Sequence, residues 1–383
     1  MDRQDFSASM TGRLIPISNI AADAQLAFVP NPLPPQWSWP ERLWKLLIEA
    51  RTCLASLDGT GKHLPNPEIL LKPLQRREAQ LSSKLEGTIT DPQQQALFQA
   101  DPKYPVSDTD PINAYREIFN YGKALRLRLD GGYDLPLSLR LIRQLHAVLM
   151  EGVRGSDQRP GEFRTTQNQI GRPARFVPPP PQHLNEALDS LEKYLHSNDD
   201  FDPLVRSFLV HYQFETIHPF GDGNGRVGRL LLALTIAEWC KLSNQWLYMS
   251  AFFEKRKDQY MDLLFGVSTH GDWESWLEFC LTGVVSQALD TEKRCDRLLA
   301  LYRDFHKRLK GGSVRLAGLV DSLFESPAVS VTTVKEKFGV TYPTAHSDLK
   351  KLEILGIVKQ LQRPGLITYY CKPIFDVTYE DAS

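Results

Sequence analysis

The sequence is poor in cysteine, and its cysteines form no pattern. The five are scattered along the chain, at Cys53, Cys240, Cys280, Cys295 and Cys371. An odd set without a Cys-x-x-Cys spacing argues against both a disulfide framework and a zinc site. We therefore expect a reducing, cytoplasmic setting.

Long apolar runs and an excess of charge are also missing. No apolar run approaches the ~20 residues that a membrane helix needs, and the N-terminus lacks the apolar core of a signal peptide. The formal net charge is -1, so no overall attraction to nucleic acid or to an anionic membrane is expected. We expect a chain without a membrane partner, and its 383 residues are enough for two or three domains.

Chemically active side chains are concentrated between His218 and Arg229, in the segment His-Pro-Phe-Gly-Asp-Gly-Asn-Gly-Arg-Val-Gly-Arg. Glycines on both sides of Asn224 let successive backbone N–H groups point into one concavity. The apolar run over residues 230–237 predicts a buried helix that begins at this loop. A helix N-terminus below a nest of amides is an anion site suited to phosphates.

Four charged or titratable side chains surround this predicted anion site. Arg226 and Arg229 are three residues apart, so they share a helix face from which they can reach the outer oxygens of a polyphosphate. Asp222 is placed to hold magnesium. His218 is the group of this segment that can take a proton near neutral pH.

The glycine spacing from Gly223 to Gly228 also spells the dinucleotide-binding fingerprint. That fingerprint requires a preceding apolar strand. Residues 205–220 instead mix polar and charged side chains among apolar ones at helical spacing. We therefore prefer the phosphate-site interpretation.

The pattern His-x-Phe-x-Asp-Gly-Asn-Gly-Arg-x-x-Arg resembles the active-site motif of the Fic (Fido) family of nucleotide transferases and matches it at every defined position. The resemblance implies a protein adenylyltransferase that moves AMP from ATP to a Ser, Thr or Tyr hydroxyl of a target protein or of itself. The implied roles are these: His218 as the base, magnesium on Asp222, the phosphates on the amides of Gly223 to Gly225, the γ-phosphate on Arg229, and Asn224 and Arg226 steadying the phosphates.

A second motif lies upstream, at the end of a helix predicted over residues 68–86. A glutamate at a helix C-terminus is unfavourable by ~0.3 to 1 kcal/mol, so Glu86 should have a cationic partner or a function. The segment from Ser82 to Gly87 resembles the family's inhibitory motif Ser/Thr-x-x-x-Glu-Gly/Asn, whose glutamate bonds the second arginine, here Arg229. The alternatives are an exposed surface glutamate, or a glutamate that positions water so that the same site removes AMP.

Two further segments resemble parts of the family's substrate site. Residues 162–170 and 176–178, joined by a Gly-Arg-Pro turn, predict a β-hairpin similar to the flap that lines up the target polypeptide by backbone pairing. The family tends to have an asparagine where Arg256 stands, followed by an aromatic pair. Tyr260 is the remaining member of that pair, because Met261 replaces the other. The resemblance therefore makes Arg256 and Tyr260 the candidate adenine contacts.

The expected fold class is mainly α: a Fic-type helical core with a β-hairpin flap, plus a small C-terminal winged-helix (α+β) domain. We assign residues 1–110 to an N-terminal region with the inhibitory helix, 111–300 to the catalytic core, and 311–383, after Gly311-Gly312, to a winged helix-turn-helix. The proline-rich arm up to Trp39 should be extended. Predicted helices cover 41–59, 68–86, 112–129, 137–150, 184–195, 246–253, 255–265, a helix from 272, 298–310, 316–324, 331–338 and 344–355; predicted strands cover 356–360 and 366–370.

The C-terminal domain leaves two functions open. Its third helix would read DNA in one interpretation, and in the other the domain serves docking or dimerisation. The partners we consider are ATP, a target protein, a second copy of the chain and duplex DNA. A regulator that binds DNA and uses the Fic core as a nucleotide sensor is the alternative from another functional class.

Overall fold

The computed structural model describes residues 1, 3–6, 8–17, 26–62, 66–127, 135–154, 159–171, 174–309, 313–361 and 367–380. It is mainly helical, as expected, with few strands. The helices are α1 Leu43–Lys62, α2 Glu68–Leu85, α3 Pro92–Ala100, α4 Ile112–Arg126, α5 Leu139–Leu149, α6 Pro181–His196, α7 Pro203–Ile217, α8 Asn224–Trp239, α9 Ser250–Lys255, α10 Lys257–His270, α11 Trp273–Leu309, α12 Val314–Glu325, α13 Val331–Phe338, α14 Tyr342–Ile354 and α15 Lys372–Tyr379. The strands are β1 Gly12–Pro16, β2 Leu26–Pro30, β3 Ala328–Ser330, β4 Lys359–Leu361 and β5 Thr368–Tyr370.

The centre of the molecule is the antiparallel pair α7 and α8. Every residue of α7 except Pro203 and Glu215 is buried, as expected for a helix that is apolar on most of its circumference. Side chains such as Phe208 and Phe214 on α7 and Leu230 on α8 are completely buried, and each contributes about 1.5 to 3 kcal/mol relative to exposure. The short loop between these helices is therefore held on a rigid base.

Several predicted helix boundaries were wrong. Helix α1 continues through Gly59 to Lys62. Residues 246–249 are buried but not helical, and α9 begins only at Ser250, because a short continuous apolar run does not distinguish a helix from another buried segment. The helices predicted from 272 and over 298–310 are one helix, α11. Its buried stripe runs from Trp273 to Phe305, since α11 packs against α1, α12 and α15.

The described part of the N-terminal arm is extended, as expected, apart from a 3-10 turn at Gln4–Phe6, and it contains a strand pair that we did not predict. Strands β1 and β2 pair antiparallel with Leu14 opposite Phe28. The N–H of Phe28 donates to the carbonyl of Val177 at 2.9 Å, which ties the arm to the end of the predicted flap. Helix α3 was also missed, although Asp91 caps it by accepting from the N–H of Gln94 at 2.8 Å and Pro92 stands at its first position.

The C-terminal elements run in the order α12, β3, α13, α14, β4, β5, α15, and the sheet order is β3-β5-β4. Strands β4 and β5 lie within the predicted strands or overlap them, whereas β3 and α15 were not predicted. The Gly311-Gly312 boundary and the turn at 363–365 lie outside the described residues. None of the helices in the described ranges combines the length and the apolar character needed to cross a membrane.

Two buried arginines attach the C-terminal elements to the rest of the molecule. Arg76 on α2 donates to the carbonyls of Phe324, at 2.9 Å, and Glu325, at the end of α12. Arg294 on α11 donates to the carbonyl of Val377 at 2.6 Å, near the end of α15. Each guanidinium therefore caps the C-terminal end of a helix, where backbone carbonyls have no partner within the helix.

Candidate active site

His218 is positioned by the end of α7. Its backbone is left-handed, with φ 50 and ψ 61, and its N–H still donates to the carbonyl of Phe214 at 3.0 Å. Such a conformation is unfavourable for a residue with a side chain, by about 1 to 3 kcal/mol. Arg164 holds it in place, because its Nε donates to the carbonyl of His218 at 2.8 Å and its backbone N–H to the carbonyl of Pro219 at 2.9 Å.

The hydrogen bond of the His218 ring determines its tautomer. Nδ1 lies 3.2 Å from the carbonyl oxygen of Glu215. A carbonyl only accepts, so Nδ1 carries the proton and Nε2 has a free lone pair. Burial lowers the pKa of His218 to about 4, which keeps the ring neutral at pH 7. His218 can therefore accept a proton at Nε2.

Asn224 closes the loop between α7 and α8. Its Oδ1 accepts from the N–H of Phe220 at 2.8 Å, and its Nδ2 donates to the carbonyl of Phe220 at 2.8 Å. We expected this side chain to steady phosphates, but both of its polar ends are used within the loop. The ring of Phe220 stacks on His146 with a centroid distance of 3.8 Å, and His146 Nε2 donates to the carbonyl of Asp222 at 3.1 Å. The loop is rigid on both sides.

The N-terminus of α8 is in direct contact with Glu86. Gly223, the N-cap, has the left-handed φ of 76. A Cβ on Gly225 would collide with Oε1 of Glu86 and crowd Arg229, so glycine is required for the carboxylate to lie this close. The first helical turn also presents N–H groups without helical partners. The carboxylate of Glu86 thus lies where the sequence predicts an anion.

Arg229 is hydrogen-bonded to Ser82 on α2 and to Glu86, the residue that follows α2. Its Nε donates to Oγ of Ser82 at 2.8 Å, and one Nη donates to the carbonyl of Ser82 at 2.9 Å and to Oε1 of Glu86 at 2.8 Å. Although burial alone would raise it, the Arg229 guanidinium holds the pKa of Glu86 below its usual value. The contact expected between Glu86 and Arg229 is therefore present, with Ser82 as a second partner.

Arg226 pairs with two carboxylates, those of Glu117 and Asp222. It is buried, with one Nη 3.3 Å from Oε2 of Glu117 and the other 3.6 Å from Oδ2 of Asp222. Glu117 is buried and also accepts from Oγ1 of Thr88 at 2.7 Å. In this conformation a buried carboxylate on α4 holds Arg226, and the contact of Arg226 with a phosphate remains a prediction.

Asp222 offers a single carboxylate to a metal ion. Its side chain is 57% exposed, and Oδ1 accepts from the N–H of Gly223 at 2.7 Å. Within the described ranges, no group of three His, Cys, Asp or Glu side chains could hold a metal ion. One exposed carboxylate nevertheless fits magnesium, which commonly takes one or two carboxylates together with phosphates and water.

A cleft with a volume of about 170 Å³ lies beside Arg229. Five of the predicted residues line it: Glu86, His218, Gly225, Arg229 and Tyr260. The other lining residues are Ile170, Gly171, Arg175, Phe176, Glu215, Thr216, Met261, Leu264, Phe265 and Ser268. The expected contribution of Arg256 is absent from this lining, because its exposed guanidinium lies 4.2 Å from the ring centroid of Phe252.

The predicted flap forms one side of the cleft, with a single pair of bridged residues. Ile170 and Phe176 pair antiparallel, with N–O distances of 2.8 and 3.2 Å. Side chains elsewhere attach this segment to the site, since Asn168 Nδ2 donates to the carbonyl of Phe220 at 3.1 Å. Part of the predicted turn, residues 172–173, lies outside the described residues.

Four residues of the site were missed by sequence reasoning: His146, Arg164, Glu117 and Glu215. Glu215 and Glu117 could have been recognised from the sequence, because each is an acidic residue on a helix whose neighbouring residues are largely buried. Arg164 and His146 act through backbone carbonyls of the loop, and a sequence pattern does not show such partners.

Two segments of the chain match family descriptions. Residues 136–236 match the Fic/DOC family, and residues 44–130 match the N-terminal domain of the Fic/DOC family. The chain therefore contains Fic/DOC family domains, as the motif predicted.

The relatives similar to this chain are named adenylyltransferases. Protein adenylyltransferase fic-1 of Caenorhabditis elegans is 41% identical over 129 residues, which are 32% of this chain and 24% of that protein. Protein adenylyltransferase Fic of Drosophila grimshawi is 33% identical over 128 residues, 33% of this chain and 26% of that protein. The chain thus spans only about a quarter of the length of these relatives.

Solved structures show the same fold. A Fic family protein from Desulfovibrio desulfuricans aligns with a TM-score of 0.56 and 20% identity over 88% of this chain and 98% of its own. Fic-1 from C. elegans aligns with a TM-score of 0.50 and 20% identity over 64% of this chain and 72% of its own. The predicted Fic-type helical fold is confirmed.

Proposed function

We propose that the protein is a protein adenylyltransferase that transfers AMP from ATP to a Ser, Thr or Tyr hydroxyl of a target protein or of itself. The names of its relatives support this class of activity. The observation that carries the proposal is a neutral His218 with a free Nε2 in a cleft that also contains the α8 N-terminus and Arg229.

In the proposed reaction, the acceptor hydroxyl oxygen attacks the α-phosphorus of ATP while Nε2 of His218 takes the hydroxyl proton. The bond from the α-phosphorus to the oxygen that bridges to the β-phosphate breaks, and pyrophosphate leaves with that electron pair. A phosphodiester joins AMP to the target. A positioned base of this kind contributes typically ~10² to 10⁴ in rate.

The phosphates would lie on the amides of Gly223 to Gly225, with Arg229 at the γ-phosphate. Asp222 would hold magnesium, which when bound neutralises charge on the leaving pyrophosphate. Asn224 and Arg226 would support this site indirectly, through the shape of the loop and through Glu117.

We also propose that Glu86 inhibits the enzyme. One guanidinium edge cannot pair fully with a carboxylate and with a γ-phosphate, because both use the same N–H groups. The ion pair between Glu86 and Arg229 and the close approach of Glu86 to Gly225 support this competition. Bound ATP would then have its γ-phosphate displaced and its α-phosphorus out of line, and a misplacement of about 1 Å can reduce the rate ~10²-fold.

Labelled ATP tests both proposals. Full-length wild type, Glu86→Gly and Glu86→Gly/Arg229→Ala are incubated at equal ATP labelled in the α- or the γ-phosphate. We expect α-label in protein, at least ~10-fold more with Glu86→Gly, and loss of that gain in the double variant. Equal rates for wild type and Glu86→Gly would contradict inhibition, and γ-label in protein would indicate kinase chemistry instead.

For the C-terminal elements we propose a winged-helix domain that serves docking. The element order and the sheet order β3-β5-β4 support the winged-helix assignment. The basic residues of α14 are paired locally, Lys350 with Glu353 at 2.8 Å and Lys351 with Asp348 at 3.5 Å, which weakens any attraction to DNA. Binding of the full-length protein to duplex DNA with a steep salt dependence would contradict the docking role.

A further inference from the structure

Glu215 places a carboxyl group in the cleft wall without a hydrogen bond from the described residues that would explain its position. It is one of the two residues of α7 that are not fully buried, and it lines the cleft. Its Oε1 is buried without a hydrogen-bond partner in the described ranges and lies so close to Gly228 that a Cβ there would collide with it. Enclosed polar groups without a partner are rare in native proteins and deserve a functional explanation.

The charged and titratable groups that face this carboxyl come from three elements. Arg229 on α8 attracts its ionised form, and Glu86 at the end of α2 repels it. Tyr260 on α10 also lines the cleft and interacts electrostatically with this carboxyl. Burial outweighs the attraction of Arg229 and raises the pKa of Glu215 to about 8. At pH 7 the group is thus a neutral carboxylic acid, which can both donate and accept a hydrogen bond.

Two hydrogen bonds of His211 fix the direction in which the Tyr260 hydroxyl donates its proton. His211 Nδ1 lies 3.2 Å from the carbonyl of Gly228, which only accepts, so Nδ1 carries the proton of the neutral ring. Burial lowers the pKa of His211 to about 3. Nε2 of His211, 2.9 Å from the Tyr260 hydroxyl, must then accept the hydroxyl proton. A ligand group that meets the Tyr260 oxygen must therefore be a donor.

We propose that Glu215 is a specificity-determining residue that hydrogen-bonds a neutral donor or acceptor of the nucleoside, a ribose hydroxyl or the edge of the base, with Tyr260 beside it as an acceptor. This inference rests on the proposed nucleotide site. Ile170, Phe176 and Leu264 give the cleft an apolar lining that suits a nucleobase. The Glu215 carboxyl supplies the kind of polar contact that orients a ligand in such a pocket. A neutral acid also avoids repulsion of the phosphates.

The test uses full-length protein with Glu86→Gly as the parent, so that no competing carboxylate remains. Isothermal titration calorimetry measures AMP and ATP binding to the parent and to the Glu215→Gln and Glu215→Leu variants, with Glu186→Leu on α6 as a control outside the cleft. The Glu215→Leu variant loses one hydrogen bond to the nucleotide, so it should bind AMP and ATP about 3- to 10-fold more weakly than the parent does. Glu215→Gln keeps a donor and an acceptor, so it should restore most of the affinity.

Analogues identify the contacted group. The titrations are repeated with 2′-deoxy-AMP, 3′-deoxy-AMP and purine riboside monophosphate, which lacks the 6-amino group. We expect one analogue to bind the parent about 3- to 10-fold more weakly than AMP does. The Glu215→Leu variant should bind that analogue and AMP with equal affinity. AMP affinity of the parent should also fall as the pH rises and the Glu215 carboxyl ionises, whereas the affinity of Glu215→Gln should not.

The outcomes separate this inference from the proposed function. One outcome is that the parent binds AMP and ATP while Glu215→Leu binds them, and every analogue, with the same affinities as the parent. In that case only the inference about Glu215 is wrong. An effect on ATP without an effect on AMP would mean that Glu215 acts through Arg229 and the γ-phosphate, which also overturns it. A folded parent that binds neither nucleotide would overturn the proposed function and this inference together. Thermal unfolding of each variant shows whether it is folded.

Discussion

His218 shows how much one residue of this site depends on its surroundings. The motif identified it as the base, but its tautomer comes from the carbonyl of Glu215 and its backbone conformation from Arg164. Neither partner belongs to the motif. A base prepared in this way acts on the acceptor hydroxyl and not on the phosphates, so its removal should affect turnover and not nucleotide binding.

We therefore predict that His218→Ala, in the Glu86→Gly background, lowers AMP incorporation by ~10² to 10⁴ while ATP binds with unchanged affinity. Incorporation of α-label and calorimetric binding of ATP provide the two measurements. His196→Ala is the matched control, because His196 is exposed at the end of α6. A folded His218→Ala protein that no longer binds ATP would assign the imidazole to nucleotide binding.

At the same scale, the sequence could predict the residues that carry charge but not all of their partners. His218, Asp222, Arg229 and Glu86 follow from motif positions, and the structure brings Glu86 and Arg229 together. Asn224 and Arg226 were assigned to phosphates, whereas their side chains bond Phe220 and approach Glu117. Which of several polar groups a side chain bonds depends on tertiary packing, which spacing along the chain does not encode.

At the scale of elements, the inhibition that we propose comes from the C-terminal end of α2. The unfavourable position of Glu86 at a helix C-terminus predicted a cationic partner, and Arg229 is that partner. The structure adds a second cation, because Lys257 Nζ donates to the carbonyl of Leu85 at 2.6 Å. Helix α2 is thus held at its end by both α8 and α10.

Ser82 should help Glu86 to keep Arg229 in its inhibited position. Ser82→Ala removes the acceptor of the Arg229 Nε proton and leaves a buried donor unpaired, which is unfavourable by about 1 to 3 kcal/mol. We predict that Ser82→Ala raises incorporation of α-label above wild type by less than Glu86→Gly does. The Ser56→Ala variant on α1 is the control, since Ser56 bonds Glu292 at 3.0 Å far along the chain from this contact. Unchanged incorporation would leave Glu86 as the sole inhibitory contact of α2.

At the scale of the whole molecule, buried titratable groups link stability to pH. Burial lowers the pKa of His146 and His218 to about 4 and of His211 to about 3. In the unfolded chain these pKa values are ~6.5. Between pH 6.5 and 4 the unfolded chain therefore binds protons that the folded chain does not, so stability falls as the pH falls through this window. Glu215 acts oppositely, because its folded pKa of about 8 exceeds its unfolded value of ~4.3.

We predict that the unfolding temperature drops between pH 6.5 and pH 4.5, since three histidines with lowered pKa values oppose two buried carboxyls with raised pKa values, Glu215 and Glu78. Glu215→Gln lacks the opposing proton uptake, so its unfolding temperature should drop more steeply over the same range. Calorimetric scans of both proteins at matched ionic strength measure the difference. Parallel pH profiles would show that the Glu215 carboxyl titrates at an ordinary pKa in the folded protein.

The docking of the C-terminal elements on α2 was beyond sequence reasoning. Helix periodicity predicted α12, α13 and α14 with small errors, because each has its own apolar stripe. Helix α12 contacts α2 in part through Arg76, and an arginine in a helix has no pattern that names a carbonyl 248 residues later as its partner. In the structure, α2 therefore contacts both the site and the C-terminal elements.

This arrangement predicts that the C-terminal elements help to keep α2 in its inhibitory position. Arg76→Met leaves the carbonyls of Phe324 and Glu325 without their buried donor, at about 1 to 3 kcal/mol for each unpaired group. We expect it to loosen α2 and to raise incorporation of α-label about 3- to 10-fold in the full-length protein. In the Glu86→Gly background the same change should have no further effect, because no inhibitory carboxylate remains to be released.

Arg294→Met provides the matched control for that prediction. It also removes a buried cap from a C-terminal helix, α15, but its guanidinium lies on α11 and not on α2. It should lower the unfolding temperature as Arg76→Met does, without a comparable rise in incorporation. If both variants raise incorporation equally, loss of global stability is the cause. If Arg76→Met lowers the unfolding temperature and leaves incorporation at the wild-type rate, then Glu86 is held on Arg229 independently of the C-terminal elements, because the end of α2 is fixed by α8 and α10 alone.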